Sequence, residues 1–412
     1  MNVLFLSHVS LMGTGSGTYI DALARSFIQF GHQVSVLSAE HSISQDTPYT
    51  REPIYFRDEI NASKHADLPF NYASFLPHPL TTRTFDTLSE SEYAKYRAKI
   101  KSKIKQVVSH TQFHMINVLH GWIIGDILHE LGLEFLVTLM GPETVVYERG
   151  SCFRKEMENS LIHAKKIICF SEEYKGRIVS VYHVDPEQVI ALPPGVDPDA
   201  FSIRNACKNH PIKQLLFVGR LTEPKGILVL LKALSAPEIR DKFGVAVVGD
   251  GSLRKACEAF LKDNALLNID LLGHQPQNEV ARLMSESDVL VVPSLHETGP
   301  LVALEAMASG VPVIGTRVGL LPQLLAEGRG VLCDSDSVDS LSKALLNFTN
   351  REKPLPSGKE LREFVLSQYA WQNTTVRLLS LERGNAPHFL RSSKNKWPTK
   401  LFIDSMTSLC TS

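Results

Sequence analysis

The chain has 412 residues, 43% of them hydrophobic, with 43 basic against 44 acidic side chains and a formal net charge of −1. This length is too great for one ordinary core, so we expect two large domains. The balanced charge excludes the electrostatic footprint of a nucleic-acid binder, which makes a small ligand the simpler expectation.

The sequence also lacks the marks of secretion or of a membrane span. No basic region precedes the first apolar run, and no apolar stretch approaches the roughly 20 residues that a spanning helix needs. The six cysteines are scattered and form no Cys-x-x-Cys pair, as is typical of reduced thiols. We therefore expect a cytoplasmic protein with, at most, a peripheral contact on the inner face of the membrane.

Short β-branched runs alternate with helical patterns along most of the chain. These runs are apolar on both faces, as expected for parallel strands covered by helices on each side. They lie at residues 3–9, 34–37, 115–119, 135–139, 167–170, 215–218, 245–248, 269–272, 289–292 and 311–314. The pattern predicts an α/β protein with doubly wound sheets.

A glycine-rich loop with Gly13, Gly15 and Gly17 follows the first strand and precedes a helical pattern at 19–30. Glycines let the backbone approach a phosphate at a helix N-terminus. The G-x-G-x-x-G and Gly-Lys-Ser/Thr fingerprints are both absent, so a plain strand–helix turn stays open for this loop alone. An NAD-dependent oxidoreductase with Glu40 on the ribose is one alternative enzyme class.

Residues 89–110 predict an amphipathic helix with a strongly basic face. Such a helix can dock on an anionic membrane, so a noncatalytic nucleotide-binding or membrane-scaffold protein is another alternative. A core-packed helix whose other face is solvated is the simpler interpretation. The basic side chains are Lys95, Arg97, Lys99, Lys101, Lys103 and Lys105.

Two strand ends of the first half carry polar groups. His120 ends the strand at 115–119 and can reach a cleft, although a lone histidine is often structural. Glu143 follows the next strand and should line the same wall, where it is a lesser candidate for holding an acceptor.

The alternation of strands and helices breaks at Leu192-Pro193-Pro194-Gly195-Val196-Asp197-Pro198, and a new strand begins at Gln214. Pro and Gly punctuation followed by such a restart marks a domain boundary. We predict one domain at 1–195, a second at 196–370, and a segment at 371–412 with a helix that crosses back to the first domain and a basic tail. Two facing lobes would place the ligand in the cleft between them.

Two cations follow the first strand of the second half. Arg220 supplies a planar fork and Lys225 a compact point charge, a pairing that suits a diphosphate gaining charge as it leaves. Solvated surface cations are the alternative.

Glu297 lies in a loop after the strand at 289–294, and Glu305 lies about two turns further along the helix that this loop opens. Free N–H groups at the helix start suit negative charge, and a carboxylate on either side can accept hydrogen bonds from hydroxyls. The segment is therefore suited to a ligand that carries an anionic group between hydroxyl-bearing groups, and a nucleotide sugar is such a ligand. An exposed glutamate pair, one member favoured by the helix dipole, is the alternative.

Taken together, these stretches resemble the retaining glycosyltransferases of family 4, which have two Rossmann-like lobes in the arrangement called GT-B. The resemblance covers nearly the whole chain. It rests on the glycine loop with Gly31-His32-Gln33-Val34, on residues 192–197, on Gly219-Arg220 with Lys225-Gly226, on Gly249-Asp250-Gly251, and on Glu297 through Glu305 to Ile314.

The resemblance implies a hexosyltransferase (EC 2.4.1) that moves a hexose-type sugar from a nucleotide-diphosphate sugar, expected to be a UDP-sugar, to an acceptor hydroxyl by front-face, metal-independent transfer. It places Glu305 on the ribose and Glu297 beside the transferred sugar. Arg220 and Lys225 would bind the diphosphate, and His120 is the further catalytic candidate. The remaining implied donor contacts are Gly15, Ser16, Gly17, Gly273, His274, Gly299, Pro300, Leu301 and Val302.

No cofactor or metal ligand is implied, because the donor is a co-substrate and two cations serve the diphosphate. The acceptor would be a small molecule, a saccharide or a lipid-linked group, and the oligomeric state stays open. A nucleotide-sugar epimerase of the same architecture is a further alternative. The chain departs from the family pattern at Thr14, at Leu119 and Met140, and at Glu223-Pro224, mostly in the lobe that selects the acceptor.

Overall fold

The computed structural model describes residues 1–11, 13–42, 46–57, 66–75, 81, 83–203, 212–350 and 355–382. Its first sheet consists of β1 (Asn2–Leu6), β2 (Gln33–Glu40), β3 (Thr50–Tyr55), β4 (Met115–Leu119), β5 (Leu136–Thr138), β6 (Lys166–Cys169) and β7 (Val189–Ala191). Its second sheet consists of β8 (Lys213–Val218), β9 (Phe243–Val248), β10 (Ile269–Gly273), β11 (Val289–Val292), β12 (Val313–Thr316) and β13 (Val331–Cys333).

Helices follow most strands. In the first half they are α1 (Gly15–Gln29), α2 (Glu90–His110), α3 (Trp122–Glu130), α4 (Pro142–Glu148), α5 (Arg154–His163) and α6 (Glu172–Tyr182). In the second half they are α7 (Ile227–Leu234), α8 (Arg254–Asp263), α9 (Gln277–Glu286), α10 (Leu301–Ala308), α11 (Leu321–Leu324), α12 (Val338–Thr349), α13 (Gly358–Tyr369) and α14 (Trp371–Glu382). None of these described helices is both long and apolar enough to cross a bilayer.

Both sheets are parallel, with strand orders β3-β2-β1-β4-β5-β6-β7 and β10-β9-β8-β11-β12-β13. Alternate side chains of one strand enter different cores, as the two-residue period of a strand requires. Leu4 and Leu6 belong to one hydrophobic cluster of the first lobe, whereas Val3 and Phe5 belong to the other. The predicted α/β architecture of two doubly wound sheets is confirmed.

Three strands, β3, β7 and β13, were not predicted from the sequence, and each lies at the edge of a sheet. β3 contains Pro53 and charged side chains, whereas β7 and β13 have three residues each. Edge strands tolerate proline, charge and short length because one side of the ladder needs no partner. β3 therefore lacks the apolar run that identifies an interior strand, and the apolar runs of β7 and β13 are too short to be recognised.

The chain passes between the lobes at two adjacent points. The Val196 N–H donates to the Tyr369 carbonyl at 2.7 Å, and Val196 forms a β-bridge with Ala370. A Cβ on Gly195 would lie 2.5 Å from the Trp371 indole. Helix α14 then packs on α1 of the first lobe. The basic tail at 383–412 and residues 204–211 of the connection lie outside the described residues.

Helix α2 is amphipathic, and its apolar face is buried through Tyr96, Ile100, Ile104 and Val107. Several cations of its other face are paired with carboxylates on neighbouring segments. These pairs are Arg97 with Asp126, Lys99 with Asp67, Lys101 with Glu130, and Lys103 with Glu52, at 2.6–2.8 Å. The pairing neutralises much of the charge on which the membrane-scaffold alternative depends.

Candidate functional site

The predicted site residues lie where the C-terminal strand ends of the two lobes meet. Thr298 Oγ1 donates a hydrogen bond across the cleft to the Met140 carbonyl at 2.7 Å. A Cβ on Gly299 would lie 2.8 Å from the Phe170 Cβ, so the two walls are in close contact there. The loop that carries Glu297 therefore packs directly against the first lobe.

The glycine loop opens α1 beneath this contact. The Thr14 hydroxyl caps the helix by accepting from the Gly17 N–H at 2.9 Å. A Cβ on Gly17 would lie 2.1 Å from the Leu11 carbonyl oxygen, so this glycine allows a close backbone approach within the loop. The Gly17 amide is thus engaged, and Gly15 and Ser16 are the residues of the first turn whose N–H groups have no intrahelical partner.

His120 joins two other polar side chains at the first-lobe wall. Its Nε2 is 2.9 Å from Ser16 Oγ, and its Nδ1 is 3.0 Å from Glu143 Oε2. His120 is 3% exposed and Glu143 is fully buried. His120 has a φ of +67°, and Trp122 has a φ of +49°. Non-glycine residues rarely adopt this left-handed region, and such strain concentrates at functional sites.

Lys225 and Glu297 form an ion pair at 2.6 Å. The turn that carries Lys225 is held against the Glu297 loop by the Leu295 N–H, which donates to the Pro224 carbonyl at 2.8 Å. Glu297 Oε1 also accepts from the Thr298 N–H at 3.2 Å. The lysine side chain is about 29% exposed and the glutamate about 11%, so solvent screens the pair only in part.

Glu305 is half-buried on α10, and burial raises the pKa of its carboxyl from the ordinary value of 4.5 to about 7. Within the described part of the chain, no side-chain hydrogen bond or ion pair satisfies this carboxylate. A carboxylate in such a position is a ready acceptor for hydroxyl groups. Its burial without a partner makes it a candidate ligand-binding group.

Helix α10 begins at Leu301 with Pro300 as its N-cap, and no side chain caps it. The first-turn N–H groups of Leu301 and Val302 therefore lack intrahelical partners. Gly299 precedes them, so this helix start lies between Glu297 and Glu305 along the chain. It can bind an anion.

Arg220, Gly273 and His274 lie at the C-terminal ends of β8 and β10, along the same edge of the second sheet. Arg220 and His274 are exposed. Arg220 forms no ion pair with any described residue. Gly273 has a φ of +70°, and a Cβ there would meet the Arg254 guanidinium at 3.4 Å. The structure thus aligns these residues along one edge without bonding them to Glu297 or Glu305.

Two further polar groups were not identified by the sequence analysis. His8 is fully buried against the rings of Phe85 and Tyr96, where burial lowers the pKa of its imidazole to about 3, and its Nδ1 is 2.5 Å from the Tyr96 hydroxyl. Glu173 accepts from the Gly319 N–H across the cleft. The position of His8, two residues after β1, could have identified it from the sequence, because polar residues at strand ends are candidates for a site. Glu173 could not be identified in this way, because its partner Gly319 is distant in sequence.

Glu40, the ribose-binding candidate of the NAD alternative, is used within the first lobe. It forms an ion pair with Arg51 at 2.7 Å and accepts from the Ser10 and Ser38 hydroxyls and the Leu11 N–H. Those bonds occupy both oxygens of a buried carboxylate, which argues against a role in binding a ribose. Among the described residues, no cluster of three or more His, Cys, Asp or Glu side chains could hold a metal ion.

Two family models match adjacent parts of the chain. Residues 13–200 match the model of glycosyltransferase family 4, and residues 202–363 match that of the glycosyl transferases group 1. An uncharacterized glycosyltransferase of Methanocaldococcus jannaschii is 29% identical over 256 residues, which are 61% of this chain and 69% of that protein. A D-inositol 3-phosphate glycosyltransferase of Paenarthrobacter aurescens is 23% identical over 390 residues, 90% of this chain and 92% of that protein.

Solved structures share the two-lobed arrangement. Sucrose-phosphate synthase from Thermosynechococcus elongatus has a TM-score of 0.74 at 20% identity and covers 95% of this chain and 100% of its own. Anabaena HepE in complex with UDP-glucose has a TM-score of 0.71 at 14% identity, over 93% of this chain and 100% of its own. At these identities the likeness concerns the fold.

Proposed function

The chain belongs to the family 4, group 1 glycosyltransferases with the GT-B fold, and we propose that it moves a hexose-type sugar from a UDP-sugar to an acceptor hydroxyl with retention and without a metal ion. The observation that carries the donor assignment is the Lys225–Glu297 pair at 2.6 Å, next to the uncapped start of α10. A cation and free N–H groups together suit a diphosphate.

The donor would lie along the second lobe. Lys225, Arg220 and the first-turn amides of α10 bind the diphosphate in this proposal, and Glu297 lies beside the sugar. Glu305 accepts hydrogen bonds from the ribose hydroxyls, because its half-buried carboxylate has no partner among the described residues. The strand ends at Gly273 and His274 meet the base.

The transfer we propose is a front-face displacement. The bond between the anomeric carbon and the diphosphate oxygen breaks while the acceptor oxygen bonds to the same face of that carbon. The acceptor proton passes to the leaving phosphate oxygen. Lys225 and Arg220 stabilise the charge that grows on the departing diphosphate, a contribution that is usually the largest in such sites. These two cations are the support for a metal-independent reaction.

The choice of UDP draws on a structural neighbour. HepE has been solved with UDP and with UDP-glucose. The catalytic domain of starch synthase IV from Arabidopsis thaliana, which has a TM-score of 0.66 against this chain, was solved with ADP and acarbose. We therefore propose a UDP-sugar donor and treat an ADP-sugar as the competing outcome. A small molecule, a saccharide or a lipid-linked group would enter from the first lobe.

The test is donor turnover without an acceptor. The protein is incubated with UDP-, ADP- and GDP-sugars, with and without EDTA, and free nucleotide diphosphate is measured alongside the sugar product. We expect slow release of UDP from one UDP-sugar, unchanged by EDTA. Release of ADP alone would reassign the donor, and loss of turnover in EDTA would overturn metal independence. A new UDP-sugar isomer without UDP release would indicate an epimerase.

A further inference from the structure

The chain of hydrogen bonds from Ser16 through His120 to Glu143 is built from three separate strand ends. Ser16 lies in the first turn of the helix after β1, His120 follows β4, and Glu143 follows β5. β1, β4 and β5 are neighbours in the sheet. Tertiary structure therefore brings together a hydroxyl, an imidazole and a buried carboxylate at one point of the cleft wall.

Both oxygens of Glu143 already serve as acceptors. Oε2 faces His120 Nδ1 at 3.0 Å, and Oε1 accepts from the Met140 N–H. An ionised carboxylate accepts hydrogen bonds and donates none, so the Nδ1 of His120 must carry a proton. In a neutral imidazole the other nitrogen is then an acceptor. The Ser16 hydroxyl consequently donates its proton to Nε2, 2.9 Å away.

We propose that Glu143 is a positioning residue for sugar transfer. It holds His120 in the Nδ1–H tautomer, so that Nε2 faces the cleft as an acceptor for a substrate hydroxyl. That hydroxyl replaces the one that Ser16 supplies, and the exchange leaves the number of hydrogen bonds unchanged. The inference rests on the proposed function, in which the acceptor enters from the first lobe, the lobe that carries His120.

Glu143 also connects this wall to the donor loop through a single residue. Met140 donates its N–H to Glu143, and its carbonyl accepts from Thr298 Oγ1, the neighbour of Glu297. The strand end that contacts the donor loop is therefore fixed by the same carboxylate that orients His120. Loss of Glu143 should disturb the alignment of the reacting groups more than the affinity for the donor.

The variant Glu143→Gln tests this arrangement sharply. The oxygen of a glutamine can still accept from the Met140 N–H, but its NH2 group can donate to the His120 Nδ1 only if that nitrogen carries no proton. Either the hydrogen bond to His120 is lost or the tautomer of His120 is reversed. We expect kcat to fall by up to about 100-fold with the donor KM changed little, as for a misplaced catalytic contact. In a His120→Ala background, the same change should cost less than about 2-fold, because coupled residues are not additive.

The matched control is Glu40→Gln, which alters another buried and fully bonded carboxylate of the first lobe. Glu40 has no bond to His120, so its effect should multiply with that of His120→Ala. If the effects of Glu143→Gln and His120→Ala also multiply, Glu143 does not act through His120 and the proposal is wrong.

A second measurement needs no variant of Glu143. In protein with 15N-labelled histidine, the signal assigned by comparison with His120→Ala should show a protonated Nδ1 and an unprotonated Nε2. The opposite tautomer would overturn the proposal even if Glu143→Gln did not fold. A wild-type protein that turns over no nucleotide sugar would refute the proposed function before any variant is compared, whereas active protein with the opposite tautomer refutes only the role of Glu143.

Discussion

At the scale of single residues, the Lys225–Glu297 pair carries the donor assignment. Lys225→Ala should lower kcat/KM by about 100- to 1,000-fold, the typical cost of one electrostatic contact to a developing charge. Lys232→Ala is the control, because Lys232 is an exposed lysine of the following helix. Donor turnover and far-UV circular dichroism would be measured together. Activity of the folded Lys225 variant within a few-fold of the wild type would exclude Lys225 from the diphosphate site.

Glu305 should make both stability and nucleotide binding depend on pH. Its pKa is about 7 in the folded protein against 4.5 ordinarily, so its carboxyl stabilises the fold below about pH 4.5, and this stabilisation is lost as the pH rises through 7. Glu305→Gln should therefore raise the free energy of unfolding at pH 8 by up to about 3 kcal/mol, with the difference vanishing below about pH 4.5.

The same substitution should weaken UDP binding, because an amide cannot accept from both ribose hydroxyls as a carboxylate does. The ratio of the two dissociation constants, variant over wild type, should fall as the pH drops from 8 to 5.5. Because UDP itself titrates equally in both measurements, its own pH dependence cancels in this ratio. Glu363→Gln, at an exposed helical glutamate, is the control for thermal unfolding and calorimetry. A ratio that stays constant with pH would remove Glu305 from the ribose site.

Sequence reasoning could name residues but could not pair them. Lys225 and Glu297 were both expected at the donor on chemical grounds, yet the bond between them joins segments that only the fold brings together. His120 was identified because it ends a strand, whereas its link to Glu143 required the neighbouring order of β4 and β5. Gly17 shows the converse: its amide, expected at the donor, is held by the Thr14 hydroxyl.

At the scale of the elements, the turn before α7 depends on Gly226. Its φ is +67°, and a Cβ there would lie 1.9 Å from the Pro293 carbonyl oxygen. Gly226→Ala must therefore move the turn, and with it Lys225. Gly132 has a similar φ of +66° with no atom within 4 Å, so Gly132→Ala isolates the backbone strain. We expect both variants to lower the melting temperature and only Gly226→Ala to lower donor turnover substantially; equal effects would contradict this.

Interior strands and edge strands differed in how well composition predicted them. β4 and β11 were predicted to the residue, because strands buried on both faces have unbroken apolar runs with polar ends. The edge strand β3 was missed, since its sequence Thr-Arg-Glu-Pro-Ile-Tyr has no such run. An unbroken apolar run in the sequence indicates a strand that is buried on both faces. A strand at the edge of a sheet is less buried, so its sequence need not contain such a run.

At the scale of the whole molecule, Thr298 links the lobes. Thr298→Val removes the bond from its hydroxyl to the Met140 carbonyl with almost no change in side-chain volume. We expect a larger radius of gyration by small-angle scattering and a lower kcat. Thr316→Val removes a similar 2.7 Å bond, to the Ser294 carbonyl within the second lobe, and should leave the radius unchanged. Unaltered scattering and kcat for Thr298→Val would show that this bond does not hold the cleft together.

The adjacency of Val196 and Ala370 has a consequence for how such a molecule can be rebuilt. Residues 196–370 leave the first lobe and return to it at neighbouring points, so the second lobe is an insertion whose two ends are adjacent. Such a segment can be exchanged for the matching segment of a relative at two adjacent junctions, while the first lobe keeps its own sequence. Under the proposed function, in which the second lobe binds the donor and the first admits the acceptor, donor specificity and acceptor specificity could then be transferred separately.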